Sequence, residues 1–119
     1  LVEDPMSRLC LSNQVIFKIL SILIGSSQRV LLTGGGGYNP WTVARLWTGF
    51  WALISGRTIP EVLPNQATEL LRSLSWQRQT KPKEIMLNSI YDVPMEGQLR
   101  EEVRDIVKKV SSFHKFKHS

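Results

Sequence analysis

Four consecutive glycines, Gly34 to Gly37, followed at once by Tyr38, are the residues of this sequence best placed to do chemistry. Each glycine gives up much backbone entropy on ordering, so such a run exists where something must approach the backbone closely or where the loop must bend. A phosphate loop is one reading, because the helix opening beyond Asn39 could hold an anion at its N-terminus. The lysine and Ser/Thr of a Walker loop are absent, however, and Gly34-x-Gly36-x-x lands on Asn39 where a dinucleotide fingerprint has glycine or alanine. No acid stands about 20 positions on to hold a ribose, Glu61 being the nearest. A second reading makes Tyr38 a catalytic hydroxyl at the C-terminal end of a parallel strand, where its phenol could donate to a developing oxyanion. A loop aromatic without a chemical task and a partner-binding loop are the other readings these residues leave open.

The other reactive side chains are few. Cys10 is the single cysteine and lies between Leu9 and Leu11, so it forms no internal disulfide and reads as a small buried hydrophobe in a reducing cytosol. His114 and His118 have helical metal-ligand spacing, but two histidines in a basic terminal tail read as solvated. The net charge of +5 is localised: most of its excess is Lys108, Lys109, Lys115 and Lys117. A basic helix end offsets the macrodipole, and no nucleic-acid-binding module accompanies it.

The elements that must position the loop follow from pattern. Ser12 or Asn13 can cap a helix running to about Ile24, with Gly25 near its stop. That helix is apolar on most sides and so expects partners on most sides. Arg29 to Thr33 is a short β-rich run without alternation, the pattern of a strand buried on both faces of a parallel sheet. After the glycines, Asn39 and Pro40 open a second helix, whose apolar face is Val43, Leu46, Trp47, Phe50, Trp51 and Ile54 and which Gly56 can end. A short helix near Ala67 to Leu74, a polar connection over 75–83 and a last helix from about Gln98 to Ser112 complete the chain. Residues 85–91 fit a second strand or a helix turn equally well.

Helix, strand, glycine loop and helix in that order are one repeat of a doubly wound α/β architecture. A lone buried strand has no ladder partners, and the chain begins at Leu1 without an initiator methionine. Both features predict part of a larger protein that carries most of the sheet. The 119 residues, 42% hydrophobic and 21% charged, exclude a disordered tail. The most apolar stretch, Val15 to Ile24, is about half of the ~20 residues a bilayer span needs, which predicts a cytoplasmic protein without a membrane partner.

The stretch from Leu31 to Trp47, Leu-Leu-Thr-Gly-Gly-Gly-Gly-Tyr-Asn-Pro-Trp-Thr-Val-Ala-Arg-Leu-Trp, closely resembles the glycine-tyrosine motif of zinc-dependent histone deacetylases. The opening Glu3 to Ser12 resembles the segment that precedes that motif in the same family. The form is nearest the bacterial acetoin-utilisation type and its class I relatives, and Ile90-Tyr91-Asp92-Val93-Pro94 resembles the C-terminal segment of that group. The resemblance is closest over 3–56, looser over 85–107 and absent over 108–119.

The resemblance implies the C-terminal portion of one arginase/deacetylase-like α/β domain, a parallel sheet flanked by helices, with this chain mostly helical and carrying one strand. It implies an enzyme that hydrolyses the acetyl amide of a protein lysine or of a small acetylated amine, with Zn²⁺ activating water. Tyr38 would be the catalytic oxyanion donor, and Gly35, Gly36 and Gly37 would form the wall of the acyl-lysine channel. The family's Asp-x-His pair and catalytic histidines have no counterpart here, and by register from Asp4 the second metal aspartate falls two positions before Leu1. Asp4 itself matches a position outside the ligand set. The chain alone is therefore expected to bind no catalytic zinc and to need the remainder of the domain as its partner. The competing expectations are a non-enzymatic helical module, associating through exposed Trp41, Trp47, Trp51 and the 15–24 helix, and an anion-binding βα unit.

Overall fold

The structure, a computed structural model, describes residues 3–6, 9–78, 81–93, 97 and 99–113. These residues form five helices: α1 (Asn13–Ser26), α2 (Pro40–Ile54), α3 (Asn65–Ser73), α4 (Glu84–Asn88) and α5 (Glu101–Phe113). The predicted strand over 29–33 is not one. The described residues form no strand, and their β pairing is limited to isolated bridges such as the antiparallel one between Val62 and Ser89. A strand exists only as a rung of a ladder, and this chain offers residues 29–33 no neighbouring edge. They carry no regular secondary structure and are mostly exposed, with Leu31 88% exposed and Leu32 half-buried. The ambiguous 85–91 region resolves into α4 and an extended stretch after it. The final helix begins at Glu101; Gln98, Pro94 and the tail from His114 onward lie outside the described residues.

The boundaries of α2 follow from its sequence. Asn39 Oδ1 accepts the N–H groups of Trp41 at 3.1 Å and Thr42 at 3.4 Å, and Pro40 occupies the first turn, where its missing donor costs nothing. At the far end Gly56 takes φ +65°, Arg57 N–H donates to Ala52 O at 2.8 Å and Gly56 N–H to Leu53 O at 3.3 Å. That pair of bonds is a Schellman stop, which needs the left-handed conformation that glycine adopts freely.

Two packing centres hold the chain together. In the first, Trp41 is fully buried against Leu71, Met86 and Leu87, and its Nε1–H donates to Leu71 O at 2.8 Å. Trp76 meets the Trp41 ring edge-on at 6.1 Å. Trp41 is thus core, correcting the expectation that it would be exposed; Trp51 is 68% exposed. Trp41 falls on the α2 stripe that continues through Arg45, one residue off the apolar stripe read from the pattern. In the second centre Phe17 of α1 sits in the notch that Gly49 leaves in α2, where a Cβ would collide with the ring. Phe50 and Tyr91 close on the same ring edge-on, at 6.0 and 6.3 Å.

A polar knot joins the two. Asp92 Oδ2 accepts the Asn13 N–H at 2.7 Å, and Asn13 returns the contact by accepting Asp92 N–H at 2.9 Å and donating to Ile90 O at 2.6 Å. The carboxylate lies at the α1 N-terminus, where the helix dipole favours negative charge. Its other oxygen lies 2.8 Å from Arg45 Nη2, and Arg45 Nε donates to Ser89 O at 2.9 Å. Both charged side chains are buried. Burial pushes the Arg45 guanidinium below its ordinary value, and the charge and contact of Asp92 pull against that.

The outward side of α1 is bare: Val15, Ile19, Ile22 and Leu23 remain exposed, as does the apolar stripe of α5. Cys10, expected buried, is exposed and stands at φ +48°, in the segment without secondary structure that precedes α1. No helix among the described residues is long and apolar enough to cross a membrane.

Candidate functional site

Tyr38 stands between a segment without secondary structure and a firmly capped helix. The chain leaves α1, runs extended to the glycines and turns at Gly36 and Gly37, where φ is +67° and +80°. Those angles are open to glycine and costly for other residues. One residue later Asn39 is fully buried as the α2 cap.

The turn and its surroundings form a groove of about 390 Å³. Its polar side brings together Asp4, Thr33, Gly35, Gly36, Gly37 and Tyr38, and its apolar side includes Leu46, Trp47 and Phe50. The structure therefore assembles in one place every site residue predicted from sequence. The Tyr38 ring is 56% exposed at this groove. A Cβ added at Gly35 or Gly36 would meet nothing within 4 Å. The glycine requirement at Gly36 thus comes from backbone angle, while a Cβ at Gly34 would touch Trp47 at 3.7 Å, an ordinary contact.

The backbone of the loop exit is held by residues 3–6. Asp4 Oδ2 accepts the Tyr38 N–H at 3.0 Å, and Asp4 Oδ1 accepts the Met6 N–H at 2.9 Å. Glu3 O accepts from Asn39 Nδ2 at 3.4 Å, and the Glu3 carboxylate pairs with Lys83. The reading from sequence placed Asp4 outside any ligand set and gave it no other task. A lone acid in register with the glycine motif carries no local signal of a partner 34 residues away.

The arrangement bears on the other chemistries as well. The N–H groups at the α2 N-terminus that an anion would use are directed at Asn39 Oδ1, so the anion-binding reading lacks its first donors. Zinc, which the family resemblance implies, does not fit the residues present. Among the described residues no three His, Cys, Asp or Glu side chains converge, and both Asp4 oxygens already accept N–H groups. His114 and His118 lie outside the described residues.

Compared with known proteins, the fold matches that of histone deacetylase homologues. The chain superposes with a TM-score of 0.77 on the crystal structure of an HDAC homolog from Aquifex aeolicus, and equally on that of an HDAC homolog complexed with SAHA. In each case 92% of this chain is covered at 37% identity, against 30% of the solved chain. The arginase/deacetylase-like α/β class expected from sequence is that of these homologues; the described residues here are helical.

Among curated proteins, 62 residues of the chain are 39% identical to histone deacetylase 8 of Xenopus tropicalis and 34% identical to that of Danio rerio. The matched stretch is 52% of this chain and 17% and 16% of those relatives. No family model matches. The chain is thus similar, in sequence and in fold, to a portion of the histone deacetylases and spans less than a third of their length.

Proposed function

We propose that this chain is the portion of a zinc-dependent deacetylase that supplies the oxyanion-stabilising tyrosine, of the bacterial acetoin-utilisation type and cytoplasmic. The observation that carries the reading is Tyr38: a half-exposed phenol on a groove, behind a glycine turn, in a stretch similar to histone deacetylases. On this reading the phenol donates to the carbonyl oxygen of an acetylated lysine, in a protein or a small acetylated amine, and holds it as it becomes an oxyanion. The backbone of Gly35, Gly36 and Gly37 lies along the acyl chain. Zinc, the cofactor of that reaction, is held by residues outside this chain, and the remainder of the domain is the chain's partner.

The test is a chimera in which residues 3–113 replace the matching stretch of the Aquifex aeolicus HDAC homolog. The expected result is turnover of an acetyl-lysine peptide, and a loss of about 3 kcal/mol of transition-state stabilisation, a hundredfold or more in kcat, on Tyr38→Phe. A chimera that folds and turns over equally well with phenylalanine at this position removes the proposed role. The bare faces of α1 and α5 favour a second reading, a helical module that associates through them. A monomeric chain with a cooperative unfolding transition argues against it.

A further inference from the structure

We propose that Asp4 is a positioning residue for Tyr38, an inference that rests on the oxyanion reading of that tyrosine. The glycine turn gives the chain entering Tyr38 more backbone freedom than any other sequence would, and a Cβ at Gly35 or Gly36 would meet no described atom within 4 Å. On the other side, Asn39 is fixed by its place in the core. The orientation of Tyr38 therefore depends on what holds its own backbone, and that is the Asp4 carboxylate.

One oxygen of Asp4 accepts from Tyr38 N–H at 3.0 Å while the other accepts from Met6 N–H at 2.9 Å. The two contacts differ in kind. The Met6 bond closes a local turn that sets the carboxylate's direction, and the Tyr38 bond uses that direction to hold a residue 34 positions along the chain. A charged acceptor makes each bond stronger than a neutral one would be.

The neighbouring residue supports the same clip. Glu3 adopts φ +57°, a left-handed conformation that is uncommon outside glycine. It is held there with its carbonyl on Asn39 Nδ2 and its carboxylate on Lys83, which precedes α4. Backbone strain of this kind persists where surrounding contacts over-determine it. Residues 3 and 4 thus grip successive residues, Tyr38 by backbone and Asn39 by side chain. A phenol whose backbone is clamped meets its acceptor without first losing loop entropy, the advantage of preorganised donors.

Asp4 is half-buried and both of its bonds are open to solvent, so its removal should free the loop without unfolding the helices. In the full 119-residue chain, Asp4→Ala is expected to leave the melting temperature and helical circular dichroism unchanged. Hydrogen exchange of the Tyr38 amide, read by NMR, should accelerate by about tenfold or more. Asp4→Asn retains one acceptor oxygen for two donors, so at least one of the Tyr38 and Met6 amides should exchange faster. Unchanged exchange at Tyr38 in Asp4→Ala overturns the proposal. If Asp4→Ala unfolds the chain, unchanged exchange at both amides in Asp4→Asn does the same.

In the deacetylase chimera, Asp4→Ala is expected to lower kcat about tenfold with KM within twofold, and Asp4→Asn to recover part of that loss. A purely structural role would instead move melting temperature and activity together. The two readings fail separately. An indifferent Tyr38→Phe sinks the oxyanion role, whereas a severe Tyr38→Phe beside an indifferent Asp4→Ala sinks only the positioning role.

Discussion

The knot of Asn13, Arg45 and Asp92 and the loop around Tyr38 are both polar, and they are built on opposite terms. In the knot, charges are buried and the chain partners them itself: Asp92 serves the α1 N-terminus and Arg45 at once, and Arg45 reaches back to Ser89. Around Tyr38 the backbone is clamped while the phenol is half-exposed and the Cα positions of Gly35 and Gly36 face open space. Buried charges left alone are costly, so the pairing of Arg45 with Asp92 marks the region that stabilises the fold, even though Arg45 Nη1 is buried without a hydrogen-bond partner. A polar side chain held in place yet left open marks the region that meets something else.

The largest expected effect breaks the first half of that contrast. Asp92→Ala strands the Arg45 charge and removes the α1 cap, and the loss of a buried partner should cost about 3–5 kcal/mol, read as a lower urea midpoint at pH 7. A loss well under 1 kcal/mol would mean that the knot does not hold the fold. Gly49→Ala places a methyl group inside the Phe17 ring, and it should destabilise by about 1–3 kcal/mol through forced repacking of α1 on α2. Leu31→Ser sharpens the other half. The residue is almost fully exposed here, so the isolated chain should change by less than about 0.5 kcal/mol. In the chimera, where residues 29–33 have a sheet to join, the same change should cost several times more. Equal small effects in both settings would show that the segment never enters a sheet.

Much of this was legible residue by residue. Asn39, Pro40 and Gly56 state the start and stop of α2, because capping and left-handed turns depend on a few adjacent atoms. The glycine turn and Tyr38 could be singled out for the same reason. The segment 29–33 reads as a strand because its composition is right, yet a strand needs a second edge that no local pattern contains. Trp41 and Trp51 show the limit within one helix: both are large and apolar, and only the arrival of α3 and α4 decides that the first is core. Nothing in the local pattern paired Arg45 with Asp92, whose contact joins positions far apart in the chain.

The amino-acid order by itself determined the longer helices, the Asn39 cap and Gly56 stop of α2, the flexible glycine turn and the tyrosine that follows it, all of which rest on interactions within a few residues. Tertiary structure decided which charges found each other across 47 positions, as Arg45 and Asp92 do, and which tryptophan was buried. It also decided that Asp4 clamps Tyr38. Contacts between distant residues form only after the chain has folded back on itself, and their geometry depends on every element that packs between them.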